Sequence, residues 1–286
     1  MLPTILREVV GKRSLPREPE PDLVMESDDQ VAAYAEAGRI DGVMAAAYLF
    51  HTAQISARVG GAARVLDLGC GPATQLAQVA QFNPATQFVG VDLSVGMLDS
   101  ARAHAASQNL RNIGFEQSDI TDLSQFKDAS FDAVISTMAL HHLPTLEHLR
   151  RCLREVRRVL NPGGAVYLAD FGRLKSLKSV IFFAYMNADR QPHVFSLDYE
   201  RSLRAAFEFD DIKRVAAEEL PADVQVHSTF LSPMLTVAAT APRGISATLR
   251  ANFAALRTRL PRRYRSDLDD LRLFFRLGGF SFDPFT

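Results

Sequence analysis

The chain has few of the residues that build crosslinked, metal-bound or membrane-spanning proteins. Its 286 residues include two cysteines and no tryptophan. Cys70 and Cys152 offer neither a disulfide framework nor the spacing of a cysteine-rich metal site, and unpaired thiols are typical of a reducing cytoplasm. The apolar run at residues 179–186 is far shorter than the ~20 residues that cross a bilayer. We expect a soluble cytoplasmic protein with no resident metal and no membrane partner.

An excess of charge of one sign is also lacking. The formal net charge is −1 at pH 7, so the chain has no general attraction for nucleic acid. Residues 243–276 are an exception, with nine arginines against three aspartates. An RNA-binding patch is one interpretation, but apolar residues recur there at helical spacing: Leu249, Phe253, Leu256 and Leu260, then Leu268, Leu271 and Phe275. This favours a helical hairpin packed on the domain, with Ser266 and Asp269 as a capping box at the start of its second helix.

A glycine loop follows an apolar strand pattern at residues 64–68. It reads Gly-Cys-Gly at 69–71, and glycine permits both a tight turn and close approach of a ligand to the main chain. A dinucleotide-binding loop carries a third glycine where this chain has Thr74. Asp67 beside the turn would repel a phosphate and attract an ammonium or sulfonium group. We expect a site for a small cationic ligand, with a nicotinamide dinucleotide as an alternative.

Two further predicted strands end in acidic residues. Asp92 lies 21 positions after Gly71, and its two carboxylate oxygens suit a ribose diol because they can accept from both hydroxyls. Asp119 ends the next strand beside Ile120. An adenine fits between Leu93 and Ile120, with its amino group donating to Asp119.

Strand and helix patterns alternate along the centre of the chain. Strands are predicted at 64–68, 88–92, 113–118, 131–137 and 165–170, and helices at 73–82, 94–109 and 145–160. Runs at 224–230 and 234–240 indicate an antiparallel pair at the end of the sheet. Alternation of this kind predicts a parallel sheet with crossover helices, whose ligands lie at the carboxyl ends of the strands.

These motifs together resemble those of class I S-adenosylmethionine-dependent methyltransferases. The matching segments are V-L-D-L-G-C-G, V-D-L-S, S-D-I, F-D-A-V-I-S-T-M-A-L-H-H-L and N-P-G-G, in the family's order, over roughly residues 60–170. They are most similar to the small-molecule branch that includes ubiquinone and menaquinone biosynthesis methyltransferases. The resemblance implies an α/β fold: a Rossmann-like, doubly wound, mostly parallel seven-stranded sheet with helices on both faces, an N-terminal helical cap and a C-terminal helical extension.

The resemblance also implies S-adenosylmethionine as cofactor and S-adenosylhomocysteine as product. The methionine part is expected at Asp67, Gly69 and Gly71, the ribose at Asp92, and the adenine at Asp119 and Ile120. The full predicted cofactor set is Asp67, Gly69, Cys70, Gly71, Asp92, Leu93, Met97, Asp119, Ile120 and Thr137. Cys70 is expected to pack rather than to act as a nucleophile.

Composition and motifs divide the chain into four segments. Residues 1–24 are rich in proline and charge after position 11, which predicts a flexible arm. Residues 25–60 are expected to be cap helices at 28–37 and 43–59, residues 61–241 the methyltransferase domain, and residues 242–286 the helical extension. Within the domain, residues 171–205 are expected to be a long loop that acts as a substrate lid.

The acceptor and the chemistry are the least determined features. Candidate acceptor-binding residues are Tyr34, Tyr48, Arg173, Tyr185 and His193, although both cap tyrosines also fit a plain core role. His141 and His142 follow the fourth strand and are candidate general bases, with packing or capping as the open alternative. We expect methyl transfer to a small, partly apolar organic acceptor. An RNA-associated or non-catalytic S-adenosylmethionine-binding protein is the alternative.

Overall fold

A computed structural model describes residues 2–21 and 42–286. Its centre is a seven-stranded sheet in the order β3-β2-β1-β4-β5-β7-β6. The strands are β1 (Arg64–Leu68), β2 (Gln87–Asp92), β3 (Ile113–Gln117), β4 (Phe131–Thr137), β5 (Leu160–Phe171), β6 (Gln225–Ser228) and β7 (Leu235–Ala239). Neighbouring strands are parallel except at β7, which runs antiparallel to β5 and β6. This arrangement confirms the predicted α/β fold class, and the first four strands lie within a residue of their predicted bounds.

Ten α-helices lie in the described part of the chain. They are α1 (Leu2–Val10), α2 (Ala45–Val59), α3 (Thr74–Phe82), α4 (Val95–Ser107), α5 (Leu146–Val159), α6 (Leu177–Tyr185), α7 (His193–Ala205), α8 (Phe209–Glu219), α9 (Ala247–Arg259) and α10 (Arg262–Leu277). Among these residues, no helix is both long and apolar enough to cross a membrane.

The helices cover both faces of the sheet because the central strands are apolar on both sides. Successive strand residues point to opposite faces. Val65 of β1 packs in a core with α2, α3 and the C-terminal helices, whereas its neighbour Leu66 packs with α5 and α8. Both side chains are fully buried. The sheet is therefore the middle layer of three, and its carboxyl edge stays available for a site.

The Asn-Pro-Gly-Gly motif at residues 161–164 lies inside β5 as a local irregularity. Phe131 pairs with Leu160, and Ala133 pairs with Ala165, so four residues of β5 face a single residue of β4. Gly163 has a φ of +72°, which suits glycine. The Asn-Pro-Gly-Gly segment therefore bulges out of the strand, and regular pairing resumes at Ala165.

The prediction of a long loop at residues 171–205 was wrong, because this segment contains two helices. Ser176 caps α6 by accepting from the Ser179 backbone N–H, and Val180, Phe183 and Ala184 are buried on one side of it. α7 spans His193–Ala205, which is the last part of the predicted loop. Two short helices separated by a turn are difficult to recognise in the sequence, because neither is long enough to show a clear helical spacing of apolar residues.

Other differences lie at the two ends of the chain. No helix was predicted at α1, and the helix expected at 28–37 falls outside the described residues. The helix expected at 43–59 is present as α2. α10 begins at Arg262, directly after Pro261, so Ser266 lies within the helix and the predicted capping box is wrong. Proline fixes its own φ near the helical value and suits this boundary.

The C-terminal helices pack on α2 and α3 through aromatic contacts. The ring of Phe275 stacks on Phe50 with centroids 5.2 Å apart, and Phe253 lies 4.9 Å from Phe82. Arg257 and Arg272 both bond Asp269, which ties α9 to α10. The hairpin therefore buries its apolar stripe against the domain.

Candidate active site

The glycine loop (residues 69–71) leaves open space beside the carboxyl end of β1. Gly69 has a φ of +67°, and a Cβ there would lie 2.4 Å from the Ala139 Cβ, so a larger residue cannot fit without movement. Gly71 has a φ of +51°, but a Cβ there would meet nothing within 4 Å. Glycine at 71 thus keeps both the unusual backbone conformation and the adjacent volume free.

Asp92 fixes this loop through its carboxylate. Oδ2 accepts from the Gly71 backbone N–H at 2.8 Å, and Oδ1 accepts from the Ser94 backbone N–H at 2.9 Å. Ser94 in turn caps α4 by accepting from the Met97 N–H. Each carboxylate oxygen has a second lone pair, so Asp92 can hold the loop and still accept from a diol.

Asp67 lies on the same side of the sheet and is buried. Burial and the nearby Asp92 charge raise its pKa well above the usual range for aspartate. Two carboxylates in one apolar pocket repel each other, and a bound cation would relieve that repulsion. The electrostatics therefore fit a ligand with a positive group.

Cys70 has the packing role that was predicted for a residue inside the loop. A Cβ on Gly90 would lie 2.8 Å from its sulfur, so the thiol fills the space beside β2. Burial, followed by the Asp67 and Asp92 charges, raises the pKa of the thiol. A thiol held neutral in this way is a poor nucleophile.

A cavity of about 420 Å³ opens beside the glycine loop. Twelve of the predicted site residues line it: Tyr48, Asp67, Gly69, Cys70, Gly71, Asp92, Leu93, Met97, Ile120, Thr137, His141 and His142. Residues from five separate segments of the sequence therefore meet at one edge of the sheet.

The remaining predicted residues lie outside the cavity wall. Asp119 is exposed and accepts from the Thr121 N–H, while its neighbours Ser118 and Ile120 line the cavity. Arg173 is buried, where it donates to the Leu15 carbonyl. Tyr185 and His193 do not line the cavity, and their rings face each other at 6.4 Å. Tyr34 falls outside the described residues.

The far part of the cavity is apolar, and most of it was not predicted. Its lining comes from α6, α7, the segment before β7 and the C-terminal helix α10, and includes Phe183, Phe195, Phe230, Met234, Leu271 and Phe274. Aromatic content in the lid was the only sequence signal for it. The contribution of α10 depends on tertiary packing and has no local signature.

The two histidines lie on a short 3₁₀ helix, Leu140–His142, after β4. The His141 Nδ1 lies 2.7 Å from Asp170 Oδ1, and its backbone N–H donates to the other oxygen of Asp170. The His142 Nδ1 lies 2.6 Å from Glu20 Oε2. Burial opposes a charge on His142, but the Glu20 carboxylate outweighs it and raises the pKa of the imidazole. Whether either ring is a base stays a prediction.

Glu20 belongs to the N-terminal arm, which we define as residues 11–21. Arg17 attaches this arm to the domain by donating to the carbonyls of His141, Leu143, Pro144 and Ala205. Its guanidinium also lies 3.9 Å from the centre of the Phe207 ring. The arm therefore contacts the segment that carries the histidines, although the sequence predicted no site residue in it.

Arg17→Ala is expected to release the arm. The substitution removes four hydrogen bonds and a cation–π contact, worth roughly 2 kcal/mol or more together. The equilibrium between attached and detached arm should therefore shift toward detachment by at least about tenfold relative to the wild type. Amide hydrogen exchange of residues 13–20 measures this directly, because the Glu18 N–H donates to the Arg204 carbonyl in the attached state. Lys12→Ala, on the same arm, should leave the exchange rate unchanged. Equal exchange in the Arg17 variant and the wild type would contradict the tether.

The fold and this site define a class of protein. A mostly parallel sheet with a glycine loop after β1 and carboxylates at the ends of β1 and β2 is typical of Rossmann-like enzymes that bind a nucleoside cofactor. The match to a family described as a methyltransferase domain covers residues 60–225, which is more than half of the chain. The chain belongs to the class I S-adenosylmethionine-dependent methyltransferases, as its motifs predicted, and S-adenosylmethionine is the cofactor of that family.

Curated relatives match the central part of the chain. The trans-aconitate 2-methyltransferase of Deinococcus radiodurans is 43% identical over 104 residues, covering 36% of each protein. The 27-O-demethylrifamycin SV methyltransferase of Amycolatopsis mediterranei is 36% identical, covering 38% of each. The ubiquinone biosynthesis O-methyltransferase of Acinetobacter baumannii is 28% identical, covering 45% of this chain and 52% of that protein. The chain spans about a third to a half of the length of these relatives.

Solved structures support the same fold at low sequence identity. The plantazolicin methyltransferase BpumL, solved with S-adenosylhomocysteine, has a TM-score of 0.54 and 15% identity, covering 82% of this chain and 86% of that one. A SAM-dependent methyltransferase from Aquifex aeolicus has a TM-score of 0.52 and 14% identity, covering 76% of this chain and 100% of that one. Both likenesses concern the fold alone.

Proposed function

We propose that the chain transfers a methyl group from S-adenosylmethionine to a small organic acceptor with an apolar body. The observation that carries this proposal is the open volume at Gly71, beside the buried Asp67 and the Asp92 carboxylate. These groups fit the cofactor, since the positive φ at Gly71 leaves room for its methionine part and the two carboxylates suit its cationic groups and its ribose.

Each cofactor-side residue has a definite task in this proposal. When bound, S-adenosylmethionine supplies an electrophilic sulfonium methyl group. Gly69 and Gly71 permit close approach to the main chain, Asp92 accepts from the ribose hydroxyls, and Leu93 and Ile120 hold the adenine. We propose Asp119 only as a contact at the edge of the adenine site, because it lies outside the cavity wall.

In this proposal, the acceptor side of the cavity acts mainly by positioning the acceptor and by selecting its shape. Holding a nucleophile near the methyl group accounts for a large part of catalysis in such reactions, since no covalent enzyme intermediate is required. The apolar lining formed by Phe183, Phe195, Met234 and Phe274 favours an acceptor with a hydrocarbon or aromatic body. The relatives are named for trans-aconitate, 27-O-demethylrifamycin SV and ubiquinone biosynthesis, so the shared fold does not define the acceptor.

The rival proposal is an RNA-associated or non-catalytic cofactor-binding protein. The arginines of α9 and α10 are its only support. Several of them are already paired, Arg257 and Arg272 with Asp269 and Arg272 also with Asp283. The cavity beside the glycine loop is also lined by apolar groups rather than by a basic channel. A small acceptor therefore fits this site better than a nucleic acid.

Ligand-dependent thermal unfolding tests the cofactor first. S-adenosylhomocysteine or S-adenosylmethionine at about 100 times its Kd adds about 2.7 kcal/mol and is expected to raise Tm by roughly 5–10 °C, whereas NAD should not. Methyl transfer from labelled cofactor is then measured with apolar phenols, carboxylic acids and amines, and with RNA in parallel. Transfer to RNA alone, or a Tm rise with NAD alone, would overturn the proposal.

A further inference from the structure

Glu20, His141 and His142 bring three potential metal ligands together at the wall of the cavity. One donor atom from each residue lies within 4.8 Å of the other two, and the His141 Nε2 is 4.0 Å from Glu20 Oε1. We propose that these residues bind a divalent first-row transition metal ion. No metal was expected from the sequence, because Glu20 is far from the histidine pair along the chain.

The orientation of His141 is the first argument. Its Nδ1 is bonded to Asp170, so in the neutral ring Nδ1 donates and Nε2 carries the lone pair. The side chain is 3% exposed, and its Nε2 has no hydrogen-bond partner among the described residues. A metal-ligating histidine commonly donates its other N–H to a carboxylate, which fixes the ring and strengthens the ligand. Asp170 occupies that position.

The distances also suit a common ion after a small adjustment. Nitrogen and oxygen ligands lie about 2.0–2.2 Å from such metals, so two ligands of one ion are at most about 4.4 Å apart. The His141 Nε2 and Glu20 Oε1 are already within that limit. The His142 Nδ1 lies at hydrogen-bond distance from Glu20. If an ion replaces the proton shared by these two atoms, the distance between them increases. Ligands of a tetrahedral ion are ~3.4 Å apart, so the His141–Glu20 pair would close and the His142–Glu20 pair would widen, each by roughly 0.6–0.8 Å.

The donor set selects the kind of metal. Two imidazoles and one carboxylate suit Zn²⁺, Fe²⁺, Mn²⁺ or Co²⁺, whereas Mg²⁺ and Ca²⁺ prefer oxygen ligands alone. Three protein ligands leave coordination positions open. Both histidines line the cavity, so an open position there would hold an oxygen of the acceptor. This last role rests on the proposed function, but the binding of the ion does not.

The arm completes the proposed site. Glu20 also accepts from the Ser202 hydroxyl at 2.9 Å, and the carboxylate is 9% exposed. Because Arg17 attaches the arm three residues earlier, the carboxylate and the two rings meet only when the arm is in place. Metal affinity should therefore depend on the arm as well as on the ligands.

Equilibrium dialysis of the untagged, full-length protein with Co²⁺ or Zn²⁺, after chelator treatment, tests the proposal. We expect one ion per chain by elemental analysis, and visible absorption bands from bound Co²⁺ that report nitrogen and oxygen ligands. Glu20→Gln and His142→Asn should each weaken binding about 100-fold or more, and Asp170→Asn about 10- to 100-fold. Lys12→Ala, at an exposed position on the same arm, is the control and should bind like the wild type.

The outcomes separate this proposal from the proposed function. Wild-type protein that binds no ion, or binding that Glu20→Gln leaves unchanged, would overturn the metal site and leave a hydrogen-bonded histidine pair. Binding of S-adenosylhomocysteine, measured on the same samples by thermal shift, reports the cofactor site independently. A variant that keeps the cofactor shift but loses the ion shows that the fold is intact.

Discussion

Asp92→Ala is expected to weaken S-adenosylhomocysteine binding by about 30- to 700-fold. The variant removes the carboxylate proposed to accept from two ribose hydroxyls, a loss of roughly 2–4 kcal/mol at the ordinary worth of charge-assisted bonds. It also removes the acceptor for the Gly71 and Ser94 backbone N–H groups. The loop that contacts the cofactor then loses its anchor, so the effect falls on binding before it falls on the fold.

Isothermal titration with S-adenosylhomocysteine measures this change without knowledge of the acceptor. Asp99→Ala is the matched control, because Asp99 lies on α4 nearby, is exposed and pairs only with Arg102 among the contacts of its side chain that the structure describes. Its affinity should stay within about twofold of the wild type. An Asp92 variant that binds as tightly as the Asp99 variant would remove Asp92 from the proposed ribose site.

The cofactor half of the site was predictable because it is encoded locally. Asp67 lies near the end of β1, Gly69 and Gly71 follow that strand, and Asp92 is the last residue of β2, so a short apolar run with the residues at its end locates each of them. Parallel topology then brings these strand ends to one edge of the sheet. Asp119 shows the limit of that reasoning, since it lies two residues beyond the end of β3 and its side chain caps a turn outside the cavity.

The acceptor half was not predictable in the same way. Phe274 and Leu271 reach the cavity because α10 packs back on α2. Glu20 reaches the two histidines because Arg17 attaches an arm without regular structure. Neither contact leaves a periodic or motif signal near the residue itself. Arg173 was predicted to bind the acceptor, but in the structure its guanidinium donates to the Leu15 carbonyl of the arm and lies 3.9 Å from the Glu208 carboxylate.

A buried histidine in the core predicts how stability depends on pH. His51 is 1% exposed, and its Nδ1 lies 2.7 Å from the Tyr167 hydroxyl. Its Nε2 has no partner among the described residues, so a second proton on the ring would have nothing to bond. Burial lowers the pKa of His51 to about 4, against an ordinary value near 6.5 in the unfolded chain.

The sign of the effect follows from the lowered pKa. Above pH 6.5 the ring is neutral in both states and contributes no pH dependence. Between pH 6.5 and about 4 the unfolded chain binds a proton that the folded chain does not, so the free energy of unfolding falls as the pH falls. The loss is expected to reach roughly 3 kcal/mol and to level off below pH 4, where both states are protonated.

Urea unfolding of the wild type and of His51→Asn at several pH values isolates this contribution. Asparagine can still donate to or accept from Tyr167 but does not titrate, and every other acid and base is common to both proteins. The free energy of unfolding of the wild type minus that of the variant should therefore fall by about 3 kcal/mol as the pH is lowered from 6.5 to 4, and stay constant above 6.5. Parallel curves across that range would show that the core admits water or rearranges so that it accepts the charged ring.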